Sequence, residues 1–585
     1  MDKDQAAEIL VGIAVLLELK GENPFKTRAY HNAARALETL PEPLDKMVAE
    51  KRLGEVKGIG ESMQKKIGEL LATGKIAYYE ELKAATPPGL VAMLGIPGVG
   101  PKKIKLLHDE LRVETIDQLE TACKEGKVAS LKGFGEKTQQ NILEGIERQR
   151  AYASQHLVSE ALQAAEPLLA ALREHPDVIR CSAAGSLRRH REIVGDIDLL
   201  ASSKEPGQVI DFFVQQPGLI KVLAKGETKA SVVLAGGIQS DLRVVSDAEF
   251  PFALMYFTGN KQHNIVMRQR AIERNLRLNE YGLFRSKTET RDPKLLISCP
   301  TEESVFAELG LNFVPPEMRE DLGEFALAEH GPLPRLIEWT DLKGSLHNHS
   351  TWSDGKQRPL EIAQTMQELG LSYWGITDHS RSSVQANGLN VDRVREQLKE
   401  IREINETLAA EGNEFRLLTG TEVDILRDGR LDFPDELLAE LDVVIASIHQ
   451  SLGQSEAETT ARLIAAVRNP FVHIMGHLTG RLLLERDPAK VDHHAVIDAC
   501  AETGTWIELN ASPHRFDMDW RFWPYAKNKG VKCVINCDAH RFEQAGYLRL
   551  GAGIARKAGL TREDVVNTLP LSKLRKELAR KRQKH

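Results

Sequence analysis

Ser345-Leu346-His347-Asn348-His349 is a short apolar stretch that ends in metal-ligand side chains, and it is the first of seven such stretches in the C-terminal half of the chain. Gly375-Ile376-Thr377-Asp378-His379 and Val534-Ile535-Asn536-Cys537-Asp538-Ala539-His540 are two others. Apolar runs of this length are typical of buried strands, and a parallel barrel builds its site from the C-terminal ends of its strands. The pattern therefore predicts one cluster of imidazoles and carboxylates in residues 341–585, as in a metallohydrolase.

Length and composition restrict the class of protein. At 585 residues the chain is too long for one hydrophobic core, so several domains are expected. No stretch reaches the ~18 uncharged apolar residues of a membrane span, and the N-terminus lacks the features of an export signal. The six cysteines are scattered, which suits a reducing compartment. We expect a cytoplasmic monomer with no membrane partner.

The net charge of −7 argues against a dedicated nucleic-acid binder, because such proteins are often basic. It does not exclude nucleic acid, because carboxylate-rich metal sites carry negative charge that bound cations offset. The tail from Lys573 to His585 is locally basic. We expect this tail to be a solvated, frayed end rather than a phosphate-binding arm.

Turn signals and composition divide the chain into six segments. The segments are 1–85 and 86–150, both helical, 151–249, which is β-rich, 250–315, which is mixed, 316–340, a proline-containing linker, and 341–585, in which strands and helices alternate. Gly236-Gly237 predicts a hairpin turn between two strands of the β-rich segment. The order of elements predicts a multidomain protein that combines α+β and α/β architecture.

Three turns of the form Gly-x-Gly, each followed by a polar helix, repeat in the helical segments. They are Val56-Lys57-Gly58-Ile59-Gly60, Ile96-Pro97-Gly98-Val99-Gly100 and Leu131-Lys132-Gly133-Phe134-Gly135. The turns resemble helix-hairpin-helix elements, in which backbone amides at a helix N-terminus bind DNA phosphates without reading bases. The resemblance implies a DNA-binding role for Gly58, Gly60, Gly98, Gly100, Gly133 and Gly135.

Asp196 and Asp198 are two residues apart on a predicted strand, so both carboxylates face the same side. Asp241 lies on the strand after the Gly236-Gly237 turn and is positioned to complete a group of three. Oxygen ligands without histidine suit Mg²⁺, and a two-metal site is the usual device for phosphoryl transfer. The turn at Gly185-Ser186 offers backbone N–H groups to a phosphate, with Arg188 or Arg189 adding charge.

These motifs, together with Tyr256-Phe257-Thr258-Gly259-Asn260, resemble the X family of DNA polymerases, gap-filling enzymes with a nucleotidyltransferase palm and a thumb. The resemblance implies that Asp196, Asp198 and Asp241 are catalytic and bind Mg²⁺. It also implies a nucleotide site that consists of Gly185, Ser186 and Arg189 at the triphosphate, Tyr256, Phe257 and Gly259 around the sugar, and Asn264 and Arg268 beside the nascent base pair.

Some X-family members carry a lysine that forms a Schiff base with a 5′-deoxyribose phosphate, and residues 1–85 are similar to that lyase domain. Alignment on Gly58-Ile59-Gly60 puts Lys66 at the position of the nucleophile. Ser62 stands where the family often has another lysine, so the match is partial. Phosphate binding is therefore our preferred role for Lys66, with lyase activity as the alternative. Residues 86–150 are similar to a fingers-like helix-hairpin-helix domain.

The histidine-rich half resembles the polymerase-and-histidinol-phosphatase (PHP) domain that bacterial X-family polymerases carry at their C-terminus. The resemblance implies a distorted β/α barrel with three metal ions. Mixed nitrogen and oxygen ligation favours Mn²⁺, Zn²⁺ or Fe²⁺ over Mg²⁺, with Mn²⁺ or Zn²⁺ as the expected ions. The resemblance also implies that Arg481 binds phosphate. The sequence leaves two roles open for Asn510: it could bind a metal ion, or it could orient one of the ligands. The implied ligands are His347, His349, Asp354, His379, Glu422, His449, His477, Asp538 and His540.

The leading hypothesis is a DNA polymerase that fills short gaps during DNA repair, coupled to a metal-dependent phosphoesterase. Its partners would be gapped or 3′-recessed DNA and deoxynucleoside triphosphates. The cleavage reaction stays open between 3′–5′ exonuclease, 3′-phosphatase and abasic-site endonuclease. The alternative is a DNA-binding phosphoesterase whose polymerase half only positions DNA. A non-catalytic scaffold and a small-molecule phosphatase fit less well, because both metal constellations and the glycine turns are present.

Overall fold

The computed structural model describes residues 3–38, 40, 42, 44–96, 98–331 and 333–582. Pro97 of the second glycine turn, Pro332 of the predicted linker and the last three residues of the basic tail lie outside this described part. The chain forms two compact units, Met1–Ser154 and Gln155–His585. A search of the described residues found no helix long and apolar enough to cross a membrane.

The first unit is helical, as predicted. Its helices are α1 (Lys3–Lys20), α2 (Pro24–Glu38), α3 (Leu44–Ala49), α4 (Glu61–Thr73), α5 (Ala77–Ala84), α6 (Pro88–Ala92), α7 (Pro101–Leu111), α8 (Ile116–Lys124) and α9 (Glu136–Tyr152). Helix α1 buries Leu10, Ile13 and Leu17 at three- and four-residue spacing, and α2 buries Ala33 and Leu37 in the same core. This core gives the three glycine turns a rigid support.

The second unit begins with a five-stranded sheet. The elements are β1 (His156–Leu157), α10 (Val158–Glu174), β2 (Arg180–Ala183), α11 (Gly185–Arg188), β3 (Ile193–Val194), β4 (Asp196–Ser202), α12 (Pro206–Phe213), β5 (Leu219–Lys225), β6 (Lys229–Leu234) and β7 (Gln239–Val245). The strand order is β2-β4-β7-β6-β5, and β4 runs parallel to β7. The predicted hairpin turn at Gly236 and Gly237 is confirmed, and both glycines have positive φ.

A smaller helical and β layer follows the sheet. Its elements are α13 (Phe250–Thr258), α14 (Lys261–Glu273), β8 (Arg277–Asn279), β9 (Gly282–Phe284), α15 (Glu302–Glu308) and α16 (Glu324–Glu329). Phe252, Met267, Leu283 and Phe306 are fully buried in its separate core. This layer therefore packs around a core distinct from that of the sheet.

A buried ion-pair cluster joins this layer to the turn that follows β2. The carboxylate of Glu302 accepts hydrogen bonds from both terminal nitrogens of Arg188, at 3.0 and 2.7 Å, and from Arg319. The Arg319 side chain is fully buried against the rings of Phe306 and Phe313. Burial alone would raise the pKa of Glu302, but Arg319 and Arg188 lower it to about 2.

Replacing Glu302 with glutamine is expected to cost roughly 3–5 kcal/mol of unfolding free energy, because two buried guanidinium groups lose their counter-charge. The pKa of Glu302 is lower in the folded than in the unfolded chain, so this stabilisation is complete above ~pH 4.3 and is lost as the pH falls towards 2. Urea unfolding at pH 7 and at acid pH measures both effects. Glu303→Gln, an exposed change on the same helix, is the control, and equal stability of E302Q and wild type at pH 7 would contradict the assignment.

The rest of the second unit is a seven-stranded parallel barrel with helices between its strands, as predicted. Its elements are β10 (Gly344–Ser345), α17 (Pro359–Glu368), β11 (Tyr373–Ile376), α18 (Val391–Ala410), β12 (Arg416–Asp424), α19 (Asp435–Leu438), β13 (Val443–Ser447), α20 (Glu456–Val467), β14 (Ile474–Met475), α21 (His493–Thr503), β15 (Trp506–Asn510), α22 (Trp523–Asn528), β16 (Cys533–Asn536), α23 (Tyr547–Lys557) and α24 (Leu571–Arg582). The strands pair in sequence order.

The barrel closes only at the C-terminal ends of its strands. There the Asp538 amide donates to the His347 carbonyl at 3.0 Å, and the His349 amide donates to the Ala539 carbonyl at 2.8 Å. Below this point β10 and β16 are not paired among the described strands, so the barrel is distorted. The closure brings the first and last ligand-bearing segments side by side.

The C-terminal tail corrects one prediction. Helix α24 extends to Arg582, and its Leu574 and Leu578 are buried with Leu346, Leu418 and other side chains inside the barrel. The expectation of a solvated, frayed tail was therefore wrong for the described part of this segment. Leucines at helical spacing among basic residues let the helix seal the N-terminal end of the barrel while its charges face water.

Candidate active sites and phosphate-binding turns

Three aspartates converge on one face of the five-stranded sheet. Asp198 on β4 lies directly opposite Asp241 on the parallel strand β7, and Asp196 lies two residues earlier on β4. Between them Ile197 is fully buried in the core on the other side of the sheet. The predicted group of three carboxylates is therefore present, because parallel pairing puts the two strands in register.

The crowding of the carboxylates changes their acidity. Burial, followed by the charges of Asp196 and Asp241, raises the pKa of Asp198 to about 6. Burial and Asp241 also raise the pKa of Asp196. Burial would do the same to Asp241, but hydrogen bonds from Lys229 at 2.6 Å and Gln239 at 2.9 Å lower its pKa instead. A divalent cation would relieve this repulsion, so the all-oxygen donor set fits Mg²⁺.

The turn at Gly185 lies directly against the aspartates. A Cβ atom at Gly185 would lie 2.1 Å from Oδ2 of Asp198, and the residue has φ +59°. The Ala184 amide donates to the Asp198 carbonyl at 2.8 Å. Only glycine fits this close approach, and Ser186 follows on the first turn of α11.

Replacing Gly185 with alanine is expected to lower nucleotide addition by roughly 10²-fold, because the new methyl group must push the Asp198 carboxylate out of place. The rate of single-nucleotide incorporation measures the effect. Gly207→Ala is the matched control, because that glycine lies on helix α12 of the same sheet domain with no atom near its Cβ position. An unchanged rate in G185A would show that the position of Asp198 does not matter.

Arg189 is buried beside the predicted nucleotide site. Its Nε lies 3.2 Å from Glu320, and one terminal nitrogen donates to the Thr258 carbonyl. Lys557 of helix α23 also pairs with Glu320. Arg189 therefore braces the segment that ends at Gly259, and its predicted contact with the triphosphate stays a prediction.

The other predicted nucleotide residues surround the end of α13. Tyr256 and Phe257 pack edge to face at 5.3 Å, and Phe257 lines a cavity of about 70 Å³ with Asp198 and Asp241. Asn264 is buried and donates to the Tyr256 carbonyl at 2.7 Å. Arg268 is exposed one turn further along α14. Asn264 and Arg268 thus lie on one face of that helix.

All nine predicted ligands of the barrel lie together at the C-terminal ends of its strands. They form four overlapping groups within which the ligand atoms lie no more than 4.8 Å apart. The groups are His349, Asp354, His379 and His540; His347, Glu422 and His477; His347, His349 and Asp538; and His379, Glu422 and His449. The overlap means that single side chains are shared between neighbouring positions.

Glu422 occupies the centre of this cluster. Its Oε1 lies 2.8 Å from Nε2 of His477 and 3.2 Å from Nε2 of His449, and its Oε2 lies 2.9 Å from Nδ1 of His379. The side chain is fully buried, and none of these close contacts with described residues has the geometry of a hydrogen bond to either oxygen. A buried carboxylate without donors is costly unless a cation neutralises it. The donor set of six imidazoles and three carboxylates fits transition-metal ions.

Carboxylates that the sequence analysis did not select orient these imidazoles. Glu508 on β15 lies 2.7 Å from Nδ1 of His347, and Asp424 on β12 lies 2.7 Å from Nδ1 of His449. This is the usual arrangement around metal-bound histidines. Asn510 donates to Asp538 at 3.1 Å, which favours its orienting role. Glu508 was missed although it follows the apolar pair Trp506-Ile507, the same kind of signal that marks the predicted ligands.

Arg481, which the sequence predicts to bind phosphate in the cluster, is engaged by protein acceptors, and its phosphate-binding role stays a prediction. Its Nε donates to the Arg515 carbonyl at 2.6 Å, and its terminal nitrogens bind Asp519, Glu192 and the Phe516 carbonyl. All three nitrogens are therefore occupied by protein acceptors. The arginine that reaches the ligands is Arg515, whose Nε lies 3.4 Å from Asp538.

The three glycine turns of the first unit share one backbone geometry. The first glycine of each turn, Gly58, Gly98 or Gly133, has positive φ. The second glycine is the N-cap of the next helix and has no side-chain cap: Gly60 precedes α4, Gly100 precedes α7 and Gly135 precedes α9. The helix N-termini therefore keep backbone N–H groups free for an anion.

Lys66 lies on helix α4 beyond the first of these turns. Its Nζ lies 5.1 Å from the ring centroid of Tyr78, and Lys26 approaches the same ring at 5.3 Å. Two cations beside one tyrosine suit a phosphate, and the lyase role of Lys66 stays a prediction.

Comparison with known proteins assigns the chain to a family. Residues 1–76 match a helix-hairpin-helix domain, 90–148 a SAM-like helix-hairpin-helix tandem, 253–320 the DNA polymerase beta thumb and 345–512 the PHP domain. The chain is also 39% identical to the DNA polymerase/3′-5′ exonuclease PolX of Bacillus subtilis (strain 168), over 98% of each chain. This protein belongs to the X family of DNA polymerases. The predicted resemblance is thereby confirmed, including the C-terminal PHP domain of this X-family polymerase.

Part of this X-family polymerase is also similar to shorter proteins. Over 178 residues it is 30% identical to a probable phosphatase of Thermoanaerobacter sp. (strain X514), covering 29% of this chain and 70% of that protein. It is 29% identical to a probable phosphatase of Caldanaerobacter subterraneus subsp. tengcongensis, covering 29% of this chain and 67% of that protein.

Proposed function

We propose that this X-family polymerase fills short gaps in DNA with one site and removes nucleotides from 3′ ends with the other. The observation that carries the proposal is the presence of two separate ligand clusters, three carboxylates on the sheet and nine mixed ligands in the barrel. The name of the Bacillus subtilis relative pairs the same two activities. Gapped or 3′-recessed DNA and deoxynucleoside triphosphates are the proposed substrates.

In the polymerase site, Asp196, Asp198 and Asp241 would hold two Mg²⁺ ions. The ions would lower the pKa of the primer 3′-hydroxyl and neutralise the triphosphate. The carboxylates fix the positions of the ions, and the turn at Gly185 and Ser186 offers backbone N–H groups to the triphosphate. Lys229, bonded to Asp241, keeps that carboxylate ionised and oriented.

In the barrel site, the nine ligands would hold three ions, with Mn²⁺ preferred over Zn²⁺ because three carboxylates add oxygen donors. The ions would lower the pKa of a water molecule and neutralise the charge of a phosphodiester. Glu508 and Asp424 fix the orientation of the histidine rings, which keeps their ligand nitrogens directed at the cluster. We propose 3′–5′ exonuclease as the main reaction, with 3′-phosphatase and abasic-site cleavage as further uses of the same chemistry.

We keep the six-segment division of the chain as part of this proposal. Residues 1–85 and 86–150 would hold DNA through phosphates at the glycine turns, 151–249 and 250–315 would form the palm and thumb, and 341–585 would cleave. A cytoplasmic location and a monomeric state stay predictions.

The direct test uses one 5′-labelled primer on templates with a one-nucleotide gap or a recessed 3′ end. With Mg²⁺ and all four deoxynucleoside triphosphates the primer is expected to lengthen, and with Mn²⁺ alone it is expected to shorten from its 3′ end. Shortening without any lengthening would favour the alternative, a phosphoesterase whose polymerase half only positions DNA.

A further inference from the structure

Arg515 points at the metal-ligand cluster without being one of the nine ligands. It lies on the loop after β15, and its Nε is 3.4 Å from Oδ2 of Asp538. Its terminal nitrogen NH1 is buried and has no hydrogen-bond partner among the described residues. A buried guanidinium nitrogen without an acceptor is unfavourable, and more so because the group is charged. Such a group at the edge of a phosphoesterase site calls for an anionic partner.

The backbone of this loop is held by Arg481. Nε of Arg481 donates to the Arg515 carbonyl at 2.6 Å, and a terminal nitrogen donates to the carbonyl of Phe516. The other terminal nitrogen donates to Asp519 at 2.9 Å. Three acceptors from residues 515–519 therefore converge on one side chain. Arg481 fixes the loop in the conformation that directs Arg515 towards Asp538.

Arg481 also forms an ion pair with a residue of the palm. One of its terminal nitrogens lies 3.3 Å from Glu192, which precedes β3 of the palm. Both side chains are about one-tenth exposed. The Glu192 carbonyl also accepts from the Val158 amide at 3.0 Å, which holds Glu192 at the start of α10. The palm thus completes the set of acceptors around an arginine that belongs to the barrel.

We propose that Arg515 binds the substrate phosphate in the barrel site and that Glu192 of the palm, through Arg481, holds it in position. The proposal rests on the phosphoesterase function proposed above and adds a substrate-binding residue and two positioning residues to it. With Nε beside Asp538, the buried NH1, which has no acceptor among the described residues, donates to a non-bridging phosphate oxygen. Charge-assisted bonds of this kind are among the strongest that a protein offers to phosphate.

The first test compares the full-length Mn²⁺-loaded wild type with Arg515→Met and Arg515→Lys. R515M is expected to lower kcat/KM for removal of a 3′-terminal nucleotide by roughly 10²-fold, and R515K by less, because it keeps a charge but loses the planar fork. Inhibition by inorganic phosphate is expected to weaken in the same order. The metal content per chain is expected to stay at the wild-type value. Arg430→Met, which removes an exposed arginine of the barrel, is the control.

Three outcomes would overturn the role of Arg515. The first is a kcat/KM and a phosphate inhibition constant in R515M within about twofold of wild type. The second is loss of metal ions from R515M, which would make the residue part of the metal scaffold. The third is a metal-loaded wild type that removes no nucleotides, which would overturn the proposed phosphoesterase function as well. Nucleotide addition by the same R515M preparation checks that the chain has folded.

The link to the palm is tested with Glu192→Gln. E192Q is expected to lower kcat/KM for nucleotide removal by about tenfold, and the R515M/E192Q double variant is expected to be no worse than R515M, because both changes act on one interaction. Phosphate inhibition of E192Q should weaken as well, an effect that general destabilisation of the barrel does not produce at constant metal content. Multiplicative effects of the two changes would exclude the link.

Discussion

Asp241→Ala is expected to lower the rate of nucleotide addition by at least ~10³-fold, since losing one of the three carboxylates that would hold the two ions removes several kcal/mol of transition-state stabilisation. Asp241 lies opposite Asp198 in the parallel register of β4 and β7, and no other described carboxylate occupies that place. Its loss also leaves the ammonium group of Lys229 without its partner. Single-turnover incorporation into gapped DNA measures the effect.

The same D241A preparation is expected to shorten a 3′ end at the wild-type rate, because the barrel ligands are on other strands. Asp211→Ala is the matched control, since this exposed carboxylate of the sheet domain pairs with Lys225 and lies apart from the three aspartates. Loss of both activities in D241A would show that the two sites are not independent.

His349→Ala is expected to reverse this pattern. His349 belongs to two of the four ligand groups, so its removal should lower the number of bound ions and reduce nucleotide removal by at least ~10³-fold. Nucleotide addition is expected to continue at the wild-type rate. Metal analysis of the purified chain and a 3′-end shortening assay measure the two effects.

His494→Ala provides the comparison for His349, because His494 is exposed on helix α21 of the same barrel and packs against Tyr525. H494A should keep its ions and its activity. An H349A protein that keeps full metal content and still degrades DNA would remove His349 from the site.

The gathering of the nine predicted barrel ligands could be foreseen because, apart from Asp354 on the loop after β10, each lies at the end of a short apolar run or just after it. In a parallel barrel the C-terminal ends of all strands meet at one rim, so a residue at the end of a strand lies at the site whatever its place in the sequence. The two-residue repeat of a strand likewise predicted that Asp196 and Asp198 share one face of the sheet. The approach of Asp241 to this pair depends on the register of two strands, which the local sequence does not give. The hairpin at Gly236 and Gly237 followed from local turn chemistry alone.

The arginines were less predictable, because their partners come from loops far apart in sequence. Arg481 follows the ligand His477 closely, yet its guanidinium turns to Asp519 and to Glu192 of the palm. Arg515 has no sequence signal beyond a loop position after β15. A long side chain chooses its direction from the acceptors that tertiary packing supplies, and no periodicity encodes that choice.

Helix α24 has a consequence for how the chain matures. Leu574 and Leu578 follow all seven strands of the barrel in chain order, so the floor of the barrel lacks these buried side chains until helix α24 has been synthesised. Domains generally fold in the order of their synthesis. The DNA-building half is therefore assembled on a nascent chain whose DNA-degrading half is still unfinished.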